Sequence, residues 1–380
     1  MIVYILLFFI AYITAIFERE KAFAFGNNIS VLTQNDKTYI VYFVLVIFTC
    51  ITGFRYELGG SDYEYYELYY ERIADTPNLI FSFGISEYEP GYTAFIHACT
   101  HYLNLSFNGY LFLEAIIFYA LMYLGLRKYV PNWGIFLMFF MYKMFFYVTF
   151  VAMRQAMTVA GFYLLYSYLQ QGKVVKYYLL LALFSTFHYG ALLLFIIYPL
   201  FRINYTKNNL KKIGLIFGVF IFLSDYTGSI LNAVVSVLGL SQDASDKAAG
   251  YSGGKESLNI LYTIEYYLLY ILTIKNYDEI HQRFKDANFI IALFVMVLPI
   301  VTVFRSTVIF VRELPYFYPA YAILFTYIYI IYKKNAGEYL LLFSLICLAG
   351  VIKYVIEFGD GCLMPYQWWL FNPNIHIFAH

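Results

Sequence analysis

The chain has 380 residues, of which 62% are hydrophobic and only 13% are charged. About a quarter of the residues of a soluble globular protein are charged, so this composition excludes that class and indicates that lipid is part of the solvent. The net charge of +1 gives no reason to expect nucleic acid as a partner.

Apolar segments close to the length of a membrane span recur along the whole chain. They cover 2–17, 38–53, 108–126, 132–151, 154–170, 177–201, 213–224, 258–274, 288–304, 315–332 and 338–353. This pattern predicts a single all-α, polytopic integral membrane domain over 1–380, with about 11–13 transmembrane helices. The first segment has no basic residues before it and no small-residue cleavage site, so we expect it to be retained as a span.

Basic residues between the spans fix the expected orientation, because cytoplasmic loops are enriched in lysine and arginine. The clusters are Arg19, Lys21 and Lys37; Arg127 and Lys128; Lys173 and Lys176; Arg202, Lys207, Lys211 and Lys212; Lys275, Arg283 and Lys285; and Lys333 and Lys334. With these clusters inside, the chain crosses the membrane about twelve times, with both termini outside.

The first outward loop, 53–107, is acidic and rich in tyrosine. Asp62, Glu87 and Glu89 occupy turn-rich parts of it, beside tyrosines. Carboxylates accept hydrogen bonds from sugar hydroxyls and tyrosine rings stack on sugar faces, so the loop suits sugar binding; a plain solvated loop is the alternative. Within it we expect an interfacial or re-entrant helix over 91–105.

The 177–201 segment has basic clusters on both sides, so a single crossing cannot place both inside. We therefore expect a short helix hairpin broken at His188. A histidine there could act as a general base or donate to a phosphate, or could be hydrogen-bonded structure only. A second outward loop is expected over 224–257, with an interfacial stretch at 230–240.

Arginines that remain outside the cytoplasmic clusters are predicted on the outward side, against the usual distribution. They are Arg55, Arg72, Arg154, Arg305 and Arg312. Guanidinium groups kept at outward span ends suit a bound phosphate or pyrophosphate. The alternative is that they reach lipid phosphates or pair with carboxylates of the first loop.

Several motifs of metal or cofactor chemistry are absent. The sequence has no phosphate-binding P-loop, no GxGxxG after a strand, no HExxH and no DxD pair on an outward loop, and its four cysteines show no metal-ligand spacing. We therefore expect neither a metal nor a cofactor.

An ordered set of short motifs resembles the EpsG/Wzy-like polymerases of bacterial surface polysaccharides. The motifs are Phe54-Arg55, Gly59-Gly60-Ser61-Asp62-Tyr63 with Tyr66, Glu89-Pro90-Gly91-Tyr92, Met153-Arg154-Gln155, Phe187-His188-Tyr189-Gly190, and Arg312 ahead of Tyr316-Phe317. They run in this order from about residue 50 to 330.

The resemblance implies a GT-C-like or Wzy-type glycosyltransferase in the bacterial cytoplasmic (inner) membrane, with its active face outward. Such enzymes move a glycan from undecaprenyl diphosphate onto the next lipid-linked repeat unit, so the expected partners are those lipid-linked oligosaccharides and membrane lipid, with a chain-length regulator as a further candidate. The expected chemistry is metal-independent and inverting.

Residue roles follow from the resemblance together with the chemistry of the side chains. Arg154 and Arg312 are expected to bind the diphosphate, and His188 to orient or deprotonate the acceptor hydroxyl, with Asp62 or Glu89 as substitutes. The further substrate-binding candidates are Arg55, Asp62, Tyr63, Glu89, Gln155 and Arg305.

Two rival functions remain open on the sequence. An O-antigen-ligase-like transferase would use the same donor with another acceptor. A non-enzymatic lipid-linked oligosaccharide flippase would need charges along a central cavity, and we expect only Lys143 and Glu265 at membrane depth. A membrane acyltransferase is a third possibility, supported only by the histidine at a helix break.

Overall fold

A computed structural model describes residues 1–25, 38–227, 258–359, 362–371 and 377. Within these ranges the chain forms helices and no strand, and the only β-type pairing is an isolated bridge between Arg55 and Trp368. The all-α expectation is therefore confirmed for the described residues. Most of the predicted second outward loop, including 230–240, lies outside them.

The α-helices are numbered in chain order. They are α1 (Ile2–Phe17), α2 (Arg19–Phe25), α3 (Thr38–Gly53), α4 (Ser61–Ala74), α5 (Leu79–Ile85), α6 (Pro90–His97), α7 (Phe107–Leu126), α8 (Trp133–Phe140), α9 (Met153–Gln171), α10 (Val174–Ser185), α11 (Leu194–Ile197), α12 (Lys207–Phe220), α13 (Ile260–Lys275), α14 (Tyr277–Arg283), α15 (Ala287–Val295), α16 (Val297–Val301), α17 (Val308–Val311), α18 (Tyr318–Ile331) and α19 (Ala336–Glu357).

Short stretches of π- and 3-10 helix extend or join these elements. The π segments are Ala98–Tyr102, Met141–Phe145 and Tyr147–Val151; the 3-10 segments are Tyr189–Leu193, Tyr198–Arg202, Ile221–Tyr226, Leu314–Tyr316, Lys333–Asn335 and Trp369–Phe371. The chain divides into two compact units, Met1–Ile197 with Lys333–His380, and Tyr198–Tyr332.

Apolar helices dominate the described structure. Phe107–Leu126 and Lys333–Glu357 are long and apolar enough to cross a membrane, and the pair Val308–Tyr316 and Tyr318–Ile331, bent by 53°, would make a third span if it is one broken helix. Shorter apolar helices are Ile2–Phe17, Tyr39–Gly53, Trp133–Phe145, Val174–Ser185, Tyr189–Arg202 and Ala287–Val301. These helices are those of an all-α membrane protein.

Much of the predicted first outward loop is helical in the structure. The helix expected over 91–105 corresponds to α6 and the π segment Ala98–Tyr102, whereas α4 and α5 were not predicted. Helix α4 carries tyrosines at the helical spacing Tyr63, Tyr66 and Tyr70, and these side chains are buried together with Ile73. They pack with α6 and α7 in one core cluster. The acidic residues between them are mostly exposed. Because these charges interrupt the apolar residues, the segment was interpreted as a loop.

The 177–201 segment is interrupted where the sequence placed a break. Helix α10 ends at Ser185, and the next helical turn begins at Tyr189. The Tyr177 hydroxyl donates to the carbonyl of Leu194 over 2.8 Å. The two arms of this segment therefore lie side by side, with His188 between them.

Candidate functional site

Glu89 lies at the centre of the candidate site, where three distant parts of the chain meet. Its residue exposure is only 6%. One carboxylate oxygen, Oε2, lies 2.5 Å from Nη1 of Arg154, and the other, Oε1, accepts the backbone N–H of Tyr189 over 3.1 Å. The ring Nδ1 of His188 lies 3.3 Å from Oε1.

The backbone around Glu89 explains this convergence. Glu89 is the extended N-cap of α6, and Pro90 occupies the first helical turn, where its missing N–H is tolerated. The N–H of Gly91 donates to the carbonyl of Thr186 over 2.8 Å. A Cβ at position 91 would lie 2.1 Å from Oγ1 of Thr186, so only glycine lets the start of α6 approach the helix break this closely.

Arg154, the second residue of α9, is held on several sides. Its Nε donates to the Tyr66 hydroxyl over 3.4 Å, and its guanidinium carbon lies 4.2 Å from the centre of the Tyr88 ring. The side chain remains 26% exposed, and within the part of the chain that the structure describes Nη2 has no hydrogen-bond partner. Arg154 is thus a fixed cation with an open edge, which suits a bound anion.

The surroundings of Glu89 and Tyr66 shift the pKa values of both groups. Burial alone raises the pKa of Glu89, but the adjacent His188 ring and the Arg154 cation outweigh burial and lower this pKa to about 2. Burial raises the pKa of Tyr66 to about 12, although Arg154 opposes the rise. Near neutral pH Glu89 is therefore an anion and a weak base, and Tyr66 keeps its proton.

Aromatic rings form a wall beside Arg154. The ring of Tyr88 lies 5.8 Å from that of Tyr66, and Tyr92 is 5.9 Å from both. Asp62, exposed at the start of α4, acts electrostatically on Tyr66 and Tyr88. This combination of tyrosine faces and a nearby carboxylate suits a sugar ring and its hydroxyls.

Two other substrate-binding candidates are buried instead of facing this wall. Tyr63 packs edge-on against Phe107, with ring centres 5.2 Å apart. The side chain of Gln155 is buried and accepts a hydrogen bond from the Tyr147 hydroxyl over 3.0 Å. Both are neighbours in sequence of site residues, Asp62 and Arg154, and both point into the protein.

Arg55 is also enclosed, with an exposure of 1%. Its guanidinium donates to the carbonyls of Thr52 over 2.6 Å and Leu58 over 3.3 Å and lies 5.1 Å from the centre of the Phe150 ring. Burial lowers its pKa, while the carboxylate of Glu114 raises it. These contacts tie the Arg55 side chain to the end of α3 and to the segment before α4, and they close it off from a large ligand.

Arg305 and Arg312 belong to the second compact unit. The carbonyl of Arg305 accepts the N–H of Leu258 over 2.8 Å, and its Nε is buried without a hydrogen-bond partner among the described residues. Arg312 is exposed directly after α17. Their assignment to the diphosphate stays a prediction.

Sequence analysis missed three buried carboxylates, Glu18, Glu114 and Glu313. Glu114 lies within α7, a helix long and apolar enough to cross a membrane, so the expectation that only Lys143 and Glu265 are ionisable at depth is wrong. Glu114 escaped notice because the 108–126 segment is otherwise apolar, although a single acid inside such a run is itself the signal for a buried charge. No three His, Cys, Asp or Glu side chains of the described ranges are grouped as metal ligands.

Comparison with known proteins identifies the family. The model of the EpsG family matches residues 38–368, a range that contains Glu89, Arg154, His188 and the other candidate residues named above. No curated protein and no solved structure gives a significant match. Since the family match covers most of the chain, this protein belongs to the EpsG family.

Proposed function

We propose that this protein is a glycosyltransferase that polymerises a bacterial surface polysaccharide. It would transfer a glycan from undecaprenyl diphosphate onto a lipid-linked repeat unit at the outer face of the cytoplasmic membrane, without a metal ion and with inversion. Membership of the EpsG family supports a polysaccharide polymerase in general. The observation that carries the specific proposal is the open guanidinium edge of Arg154, fixed by Glu89 beside a tyrosine wall.

Arg154 would bind the diphosphate of the donor lipid. As the bond between the anomeric carbon and the diphosphate oxygen breaks, negative charge develops on the leaving group, and a preorganised guanidinium stabilises that charge. Glu89 and Tyr88 hold the guanidinium in position, so little reorganisation is needed. Arg305 and Arg312 are proposed as phosphate-binding residues on the chemistry of their guanidinium groups alone.

His188 would act on the acceptor. The acceptor hydroxyl oxygen attacks the anomeric carbon while the diphosphate leaves, and the hydroxyl proton passes to His188. A single displacement of this kind inverts the anomeric centre. Glu89, with its pKa of about 2, is too weak a base for this step and instead positions Arg154 and the backbone of Tyr189.

The remaining residues would support substrate or structure. Asp62 would accept hydrogen bonds from sugar hydroxyls beside Tyr66 and Tyr88. The membrane part would follow the GT-C-like plan, with about twelve crossings and both termini outside. Lipid-linked oligosaccharide, membrane lipid and a chain-length regulator are the proposed partners.

Replacing Arg154 tests the proposal. Arg154→Ala is expected to abolish polymer on a glycan gel while the protein stays in the membrane at its normal level, because the leaving group loses its cation. Arg154→Lys should be nearly as inactive, since a lysine ammonium cannot make the planar, two-pronged contact of a guanidinium.

Arg72→Ala is the matched control. Arg72, in α4, is exposed and paired with Glu87 over 2.8 Å, so its loss is expected to leave the polymer ladder unchanged. Polymer of normal length from Arg154→Ala would exclude Arg154 from the reaction.

A further inference from the structure

Helix α5, Leu79–Ile85, has the opposite polarity to that of a helix on a water-soluble surface. Its most deeply buried residue is Ser82, whereas Ile80 is 81% exposed and Phe81 is 58% exposed. Phe83 and Ile85 are exposed as well. In water a helix buries its apolar side chains and exposes its polar ones, so this arrangement needs an apolar environment outside.

The polar groups of this region are satisfied inside the protein. The Ser82 hydroxyl lies 2.9 Å from Nδ1 of His97 and 2.7 Å from the Thr76 hydroxyl. The Asn78 side chain accepts the N–H groups of Ile80 and Phe81. Hydrogen-bonding groups are turned inward in this way where the solvent is hydrocarbon.

The exposed apolar surface continues toward a membrane span. Tyr102 is 78% exposed, Leu103 is also exposed, and α7 begins four residues later as a helix long and apolar enough to cross a membrane. No charged residue lies between Thr76 and Ser86. Helix α4, in contrast, exposes acidic side chains such as Glu64.

We infer that α5, together with Tyr102 and Leu103, is inserted into the membrane surface, with lipid acyl chains as its occupant. The argument is the continuity of this patch with the span α7, combined with the exposed apolar side chains of α5 and the inward hydrogen bonds of Ser82. Aromatic side chains at such a position match the aromatic belt of membrane proteins. The predicted outward loop would thus be anchored to the bilayer at one end and hydrated along α4.

Photocrosslinking tests this inference. A benzophenone amino acid replaces Phe81 in the full-length protein, which is reconstituted in vesicles of phosphatidylethanolamine and phosphatidylglycerol with radiolabelled acyl chains. The matched control carries the same amino acid at Tyr65, an aromatic residue of α4 that is 63% exposed. Position 81 is expected to give at least fivefold more lipid adduct than position 65.

Three results would overturn the inference. They are no lipid adduct at position 81, equal adducts at both positions, and a crosslinked protein dimer in place of a lipid adduct. A second probe at Ile80 guards against a local folding defect, because its side chain is still more exposed and the same lipid adduct is expected there.

Discussion

Arg72 and Arg154 show how burial changes the strength of an ion pair. Arg72 and Glu87 are both largely exposed, and water screens most of their attraction. Arg154 and Glu89 lie 2.5 Å apart with the carboxylate almost entirely buried, where a charge without its partner is strongly unfavourable. The charge pattern predicted both arginines on the outward side and the family resemblance selected Arg154; the structure adds the difference in their surroundings.

Replacing Glu89 by glutamine is expected to lower polymer formation roughly tenfold to hundredfold, because a hydrogen bond between charged groups contributes about 1.5–3 kcal/mol. The amide oxygen can still accept the Tyr189 N–H, so the loop should remain folded. Initial rates with purified lipid-linked repeat unit measure the effect. Wild-type rates in Glu89→Gln would mean that Arg154 does not depend on this carboxylate.

The same pair predicts a pH dependence of stability. The pKa of Glu89 is about 2 in the folded protein and 4.5 in its ordinary state. Its stabilising contribution is therefore complete above pH 4.5 and is lost as pH falls toward 2. The difference in unfolding midpoint between wild type and Glu89→Gln should shrink as pH falls below 4.5. A difference that stayed constant down to about pH 3 would contradict this pKa.

Glu114 acts electrostatically on the buried guanidinium of Arg55, and its removal should be costly. Glu114→Ala is expected to destabilise the protein by about 1–3 kcal/mol, because the enclosed guanidinium loses a favourable interaction. Thermal unfolding in lipid nanodiscs measures the change. A double variant, Arg55→Met with Glu114→Leu, removes both charges and should recover most of the loss; the exposed Glu64→Ala should change little. Equal midpoints for Glu114→Ala and wild type would refute this interaction.

At the residue scale, sequence analysis selected Glu89, Arg154 and His188 as candidates but could not predict their contact. Glu89 and Arg154 are 65 residues apart, and Glu89 and Tyr189 are 100 residues apart. A carboxylate beside tyrosines and an arginine at the start of a helix can both be recognised in the sequence. Their pairing depends on how α6, α9 and the break after α10 pack, which local patterns do not contain.

At the scale of elements, the contact between α6 and the helix break should depend on Gly91. Gly91→Ala places a methyl group against Thr186, so the two segments must separate and Glu89 moves with them. We expect polymer formation to fall at least tenfold with the protein still in the membrane. Gly84→Ala is the matched control, since a Cβ at position 84 meets no atom within 4 Å. Equal activity of both variants would show that this approach is dispensable.

Helix prediction succeeded where apolar residues were continuous and failed where charge interrupted them. The long apolar run at 108–126 corresponds closely to α7, and the interruption at His188 separates α10 from the next helical turn. Helix α4 was missed, because exposed glutamates lie between the tyrosines of its buried face in the sequence. A tyrosine counted as interfacial in a membrane sequence can equally be a core residue, and helical spacing is the property that distinguishes the two.

For the whole molecule, the predicted orientation can be tested by cysteine labelling. A cysteine at Tyr65 is expected to react with a membrane-impermeant maleimide in intact cells, whereas one at Lys211 should react only after the membrane is opened. The wild-type protein, with its own four cysteines, gives the background. Labelling of position 211 in intact cells would reverse the predicted orientation of that loop.

Residues 362–371 have a consequence for biogenesis. Their backbone is hydrogen-bonded to residues 54–59. The N–H groups of Tyr56 and Gly59 donate to the carbonyls of Gln367 and Cys362, and the N–H of Trp369 donates to the carbonyl of Phe54. The ring nitrogen of Trp369 also reaches the carbonyl of Gly53, 316 residues earlier. At translation rates of about 5–20 residues per second, residues 54–59 are synthesised roughly 15–60 s before residues 362–371 can form these hydrogen bonds. A chaperone or the insertion machinery would have to bind the unpaired backbone groups of residues 54–59 during that interval. A truncation before Cys362 would remove their hydrogen-bond partners permanently.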